Sequence, residues 1–121
     1  MQVTEPLMPN TFYHIYNRGI NSCNLFEQEE NYKYFLSLYE KHIETIAETY
    51  AWVLMPNHFH MLIRIKDINE SDRNNNSKLP HQYFSNLFNA YTKAFNKFND
   101  RHGALFERAF KRKRIDNLEY F

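Results

Sequence analysis

The chain has 121 residues, 43% hydrophobic and 17% aromatic, enough apolar material for one compact domain with its own core over 1–121. Its net charge is only +1, yet residues 1–92 carry 7 Lys/Arg against 10 Asp/Glu while residues 93–121 carry 8 against 4, so positive charge collects at the C-terminal end. No apolar run approaches the ~20 residues of a membrane span, no basic-then-apolar leader opens the chain, and the lone Cys23 has no internal disulfide partner, which excludes membrane and disulfide-built secreted classes and points to the cytoplasm.

Phe12-Tyr13-His14-Ile15-Tyr16-Asn17 is aromatic and β-branched, is closed by Arg18-Gly19, and reads as a first strand. Cys23 is expected to be a small buried residue. A helix is predicted over residues 29–48, where Tyr32, Phe35, Leu38, Tyr39, His42, Ile43 and Ile46 recur at three- and four-residue spacing. Residues 50–55 form a second strand cut by Pro56-Asn57, and residues 58–66 a third, the pair making an antiparallel hairpin.

In that third strand Phe59, Met61, Ile63 and Ile65 fall on one face and His58, His60, Leu62, Arg64 and Lys66 on the other, because side chains alternate with period two. Residues 67–79 are polar and rich in turn formers, and are expected to be a flexible loop. A second helix is predicted over 80–100, opened by Pro80, with Phe84, Leu87, Phe88, Tyr91, Ala94, Phe95 and Phe98 on its stripe and Gly103 placed to end it. Residues 105–115 read as a fourth, basic strand, and Asp116 as the cap of a further helical turn. The order β-α-β-β-α-β predicts an α+β, ferredoxin-like domain with two helices on one face of an antiparallel sheet. A looser α+β domain with an irregular basic strand is the alternative.

Two histidines at i and i+2 on a strand project side by side, so His58 and His60 are candidate ligands for one divalent ion, with Phe59 anchoring the strand between them. A four-ligand structural zinc site is disfavoured, since no cysteine pair supports it. Arg18, Arg108, Lys111, Arg112, Lys113 and Arg114 are candidate phosphate contacts, and Tyr16 and Phe106 candidates for stacking on unpaired bases. His14 shares a strand face with Phe12 and Tyr16. Its distance from the histidine pair depends on strand register, and a structural role is expected of it.

Together, Phe12-Tyr13-His14-Ile15-Tyr16-Asn17-Arg18-Gly19, Met55-Pro56-Asn57-His58-Phe59-His60-Met61-Leu62-Ile63 and the stretch 91–114, with Phe95-Asn96-Lys97 and Leu105-Phe106-Glu107-Arg108, resemble the HUH single-tyrosine transposases of bacterial insertion sequences and their REP-associated relatives. The resemblance implies a DNA-binding domain, commonly a homodimer, acting on single-stranded or hairpin DNA. It implies that His58 and His60 hold Mg²⁺ or Mn²⁺ and that a tyrosine nicks and rejoins DNA through a 5′-phosphotyrosine link, with no nucleotide cofactor. It also implies a nucleophile helix bearing a phrase Tyr-Ile-x-x-Asn-Pro. That phrase does not occur in this sequence, which ends Leu118-Glu119-Tyr120-Phe121, so a C-terminally truncated domain is expected. The family's nucleophilic tyrosine is thus expected to be absent from this chain, with Tyr120 a weak candidate nearest its position and Tyr91 better read as a packed core aromatic. Two rivals stand beside the transposase: a hairpin-binding domain that does not cut, and a metal-dependent phosphodiesterase that uses water.

Overall fold

The computed structural model describes residues 5–67 and 78–116, which form β1 (Phe12–Arg18), α1 (Glu29–Ile43), β2 (Ala47–Met55), β3 (His58–Ile65), α2 (Pro80–Phe98) and β4 (Lys111–Ile115). Residues 68–77 of the expected loop, Tyr120, and the turn expected after Asp116 lie outside the described residues. The strands join in the order β2-β3-β1-β4 with every neighbour antiparallel, the order of the split βαβ plan.

Alternation along the two central strands decides which side of the sheet is covered. On β3, Phe59, Met61, Ile63 and Ile65 are buried, and on β1, Tyr13, Ile15 and Asn17, while the residues between them are only half-buried. Phe59 meets Phe35 of α1 and Phe88 of α2, with ring centroids 5.7 and 5.5 Å apart. Both helices therefore cover the Phe59 face. The opposite face, which carries His14, Tyr16, His58 and His60, has neither helix over it.

Several boundaries differ from those expected. α1 ends at Ile43, not near residue 48, because the Ile46 amide donates to the Ile43 carbonyl (2.9 Å) in a tight turn, after which the Ile46 carbonyl accepts from Lys66 (2.9 Å). Ile46 stays in the core after the chain has turned, which is why it kept helical spacing. β2 accordingly starts at Ala47, and a bulge leaves Tyr50 as the extra residue, since Thr49 pairs with Ile63 and Ala51 with Leu62. α2 buries Phe84, Leu87, Phe88, Tyr91 and Phe95 but leaves Phe98 70% exposed, in a last turn beyond the reach of the core. Asp100, at φ 49°, supplies the left-handed turn after the helix that was expected of Gly103.

The largest difference concerns the fourth strand, which covers only Lys111–Ile115. Leu105 and Phe106 are adjacent and both buried, which a strand with one covered face cannot arrange. Residues 105–110 instead clip onto the end of β1: Ile20 donates to the Leu105 carbonyl (2.8 Å), Glu107 to the Arg18 carbonyl (2.9 Å), and Asn17 Nδ2 to the Glu107 carbonyl (3.0 Å). Ala109, at φ 51°, turns the chain into β4. Gly19 lies at this junction, bridged to Phe106, and a Cβ there would collide with the Cys23 carbonyl oxygen. Gly19→Ala is therefore expected to cost about 1–3 kcal/mol in urea denaturation, the usual range for overpacking. Cys23 itself is half-buried against the core, less enclosed than expected.

Candidate functional site

β3 presents His58 and His60 on the open face for the same reason that it buries Phe59 between them. The two imidazoles stand nearly perpendicular, at 86°, with centroids 5.3 Å apart. Two rings bound to one ion through metal–nitrogen bonds of about 2.0–2.1 Å have centroids about 5 Å apart, so this spacing suits a shared cation. The second nitrogen of each ring is already engaged. His58 Nδ1 lies 2.8 Å from Asn57 Oδ1, and because a carbonyl oxygen only accepts, Nδ1 carries the proton and Nε2 keeps its lone pair. His60 Nδ1 lies 2.7 Å from Nε2 of His14.

The register that sequence could not supply pairs Tyr16 with His60 and His14 with Leu62, so His14 lies diagonally across from His60 on the same face. His14 stacks on Tyr16, with centroids 4.5 Å apart, and meets His60 edge to edge through that hydrogen bond, with centroids 5.0 Å apart, while Tyr16 and His60 lie 5.7 Å apart in near-parallel planes. The structure thus adds His14 to the surroundings of the pair.

Burial, then the neighbouring His58, lowers the pKa of His60; burial, then His60 and Lys113, lowers that of His14. Both rings resist protonation in the folded chain more than in the unfolded one. Stability is therefore full above the ordinary histidine value of about 6.5 and is lost as pH falls from there through the lower folded values. Urea midpoints compared at pH 7.5 and below 6 are expected to decline in that direction.

The pair opens onto a cleft of about 450 Å³ that also reaches Tyr16, Asn17 and Asn57. Arg18, Glu107 and Lys111 complete its lining. Arg18 Nε and Lys111 Nζ lie 2.7 and 3.6 Å from the Glu107 carboxylate. The Arg18 hydrogen bond is the first cause of the lowered Glu107 pKa. Glu107 was not singled out from sequence, although its i,i+4 spacing to Lys111 was visible. Among the described residues no group of three or more His, Cys, Asp or Glu side chains is set to hold a metal, so the pair would supply two ligands and leave the other positions open.

The basic run does not form one track. Pairing sets Lys111 opposite Tyr16 and Lys113 opposite His14, on the histidine face, but Arg112 opposite Ile15 and Arg114 opposite Tyr13, on the helix-covered face. There Arg112 lies over the Phe110 ring (3.8 Å) and donates to the Glu5 carbonyl (3.1 Å), while Arg114 pairs with Asp116 (3.0 Å). Arg108 is exposed and does not line the cleft. Phe106, a stacking candidate, is instead a core residue against Phe59, Phe88 and Tyr91. Tyr91 is buried as expected: its hydroxyl donates to the Leu25 carbonyl, and burial raises its pKa far above the ordinary value.

No family model and no curated protein matches the chain. Among solved structures it is similar to a REP-associated tyrosine transposase bound to a REP hairpin, with a TM-score of 0.72 at 12% identity over 99% of this chain. The chain spans 65% of that protein's length. A proposed transposase from Deinococcus radiodurans superposes with a TM-score of 0.60 at 11% identity, covering 99% of this chain and 90% of the other. The four-stranded antiparallel sheet with two helices is thus a fold of the tyrosine-transposase type.

Proposed function

We propose that this chain is a bacterial HUH-type transposase domain that receives single-stranded or hairpin DNA on its open sheet face and sets a backbone phosphate against His58 and His60. The observation that carries this reading is the two imidazoles side by side in a cleft flanked by Arg18 and Lys111, on the face that the helices leave bare. Arg18, Lys111 and Lys113 make the phosphate contacts, with Arg108 at the approach. Tyr16 offers a ring to an unpaired base. Arg112 and Arg114, facing the other way, hold the N-terminal segment and the end of β4 instead.

The residues present suit Mg²⁺ or Mn²⁺: each histidine keeps one nitrogen for the ion while the other is hydrogen-bonded. Such an ion supplies Lewis-acid polarisation of the scissile phosphate. The chain's own part is to hold that phosphate beside the histidine pair. Strand transfer also needs a tyrosine, and Tyr120, outside the described residues, is the candidate nearest in sequence to the place the family's nucleophile takes. No nucleotide cofactor is required, because a phosphotyrosine link retains the energy of the bond it replaces. We place the domain in the cytoplasm, in keeping with its single cysteine; no helix among the described residues is long and apolar enough to cross a membrane. A homodimer through β2 suits the exposure of Tyr50, Trp52, Val53 and Met55 on that edge strand.

Incubation with labelled hairpin DNA and Mn²⁺ tests the reading. Retention of the hairpin is expected, with an affinity that falls with salt at a log–log slope of about −3, close to −0.9 per neutralised phosphate. A covalent protein–DNA adduct adds the strand-transfer chemistry, retention alone leaves a binding domain, and cleavage without an adduct assigns the nucleophile to water. No retention, or a flat salt response, contradicts the reading. Glu107→Gln, which removes a carboxylate from between Arg18 and Lys111, is expected to raise hairpin affinity severalfold at low salt in the same assay.

A further inference from the structure

We infer that His14 is a positioning residue that fixes the proton of His60 on Nδ1 and so keeps His60 Nε2 free to bind a cation; the inference rests on the metal-binding reading above. The hydrogen bond between His14 Nε2 and His60 Nδ1 spans 2.7 Å and contains one proton, so one ring donates and the other accepts. If His60 Nδ1 donates, His60 Nε2 carries a lone pair. If His14 Nε2 donates, the neutral His60 ring must carry its own proton on Nε2 and cannot serve as a ligand through that atom.

The partner of His58 leaves no such choice. Asn57 offers an amide oxygen, 2.8 Å from His58 Nδ1, and an oxygen can only accept. His60 has a partner that can do either, so its competence as a ligand depends on what His14 does.

Packing holds the two rings within reach of each other. His14 and Tyr16 stand two residues apart on β1 with their rings stacked, and His60 lies beside them with all three planes within 30° of one another. His14 cannot swing away from His60 without unstacking from Tyr16. A cation on His60 Nε2 needs that nitrogen unprotonated, so the proton shared between the two rings lies on His60 Nδ1 and His14 Nε2 accepts it. His14 is not a third ligand in this arrangement, because its Nε2 is used by His60 and no three-membered donor cluster exists among the described residues. Outer partners of this kind typically change metal affinity by about 10–100-fold when removed.

The test compares the wild-type chain with His14→Gln and His14→Phe, using ¹⁵N chemical shifts of the histidine rings without metal and then Mn²⁺ titration. Glutamine keeps an acceptor oxygen that can reach His60 Nδ1. Phenylalanine keeps a ring for the stack and removes the acceptor. Expected are an Nδ1-protonated His60 in the wild-type chain and in His14→Gln, a shift toward the Nε2-protonated form in His14→Phe, and Mn²⁺ affinity preserved in the first variant but reduced about 10–100-fold in the second.

A wild-type spectrum with the His60 proton on Nε2 overturns the inference, even if neither variant folds. So does unchanged Mn²⁺ affinity in His14→Phe, and so does an equal loss in both variants, which would make His14 a ligand. If the wild-type chain binds no Mn²⁺ while its tautomer is as expected, the metal reading fails, and the inferred role fails with it for a separate and visible reason.

Discussion

With His58 and His60 both replaced by alanine, divalent-cation binding is expected to disappear while the chain still folds. Both side chains stand half-buried on the uncovered face, and neither contributes to the core that Phe59, Met61, Ile63 and Ile65 build beneath them. The double variant loses the hydrogen bonds to Asn57 and His14 and the ring beside His14 and Tyr16. At about 1 kcal/mol per net hydrogen bond, this lowers the thermal midpoint by less than about 10 °C. Calorimetric Mn²⁺ titration beside a thermal melt checks both halves. Unchanged cation affinity would remove the pair from the site.

Phe59→Ala is expected to act in the opposite way, destroying the site by destroying what carries it. The ring is 1% exposed and meets Phe35, Phe88 and Phe106 at centroid distances of 5.7, 5.5 and 6.2 Å, so it ties β3 to α1, α2 and the 105–110 segment at once. Truncating such a phenylalanine costs about 3–5 kcal/mol, a large share of the 5–15 kcal/mol that typically holds a domain together. Urea denaturation should show a loss of that size, and a cost under about 1 kcal/mol would mean that Phe59 does not anchor the strand. Phe59→Leu, which keeps most of the volume, is expected to lose much less. Together the two substitutions separate the chemistry of β3, carried by its even-numbered histidines, from its anchoring, carried by its odd-numbered apolar residues.

What was legible in the sequence follows from how local each signal is. β3 was readable because strict alternation over eight residues states both faces at once, and the structure buries the expected four. The buried stripe of α2 was readable for the same reason at helical period, up to Phe95, where the core ends and the helix does not. Ile46 misled because its spacing was helical while its burial was achieved after a turn, and spacing cannot tell those apart. Residues 105–110 looked like the start of a strand because Leu105, Phe106 and Phe110 are apolar and the segment leads into Lys111. Only long-range hydrogen bonds to β1 reveal that they are a clip and that the strand begins later.

The candidate site divides along the same line. His58 and His60 share a strand and were found from it. His14 could not be joined to them, because its place depends on how β1 slides against β3, and a shift of one residue would turn it to the covered face. The division of the basic run was accessible in principle, since alternation in residues 111–114 separates Lys111 and Lys113 from Arg112 and Arg114. Which of the two sets joins the histidines was fixed only by pairing with β1. Glu107 escaped notice as an acidic residue among basic ones, and its significance lies in the fold bringing Arg18 to it from the far end of the chain.

In the proposed function one divalent ion binds between His58 and His60 on the uncovered side of the sheet. Substoichiometric Mn²⁺ added to ¹⁵N-labelled protein locates that ion directly, because its paramagnetism broadens resonances only nearby. The rings of His58 and His60 and the amides around Tyr16 and Asn57 are expected to broaden first, while α1 and α2, beneath the sheet, remain sharp. Broadening centred on the helices, or spread evenly over the surface, would mean that the ion does not bind between His58 and His60.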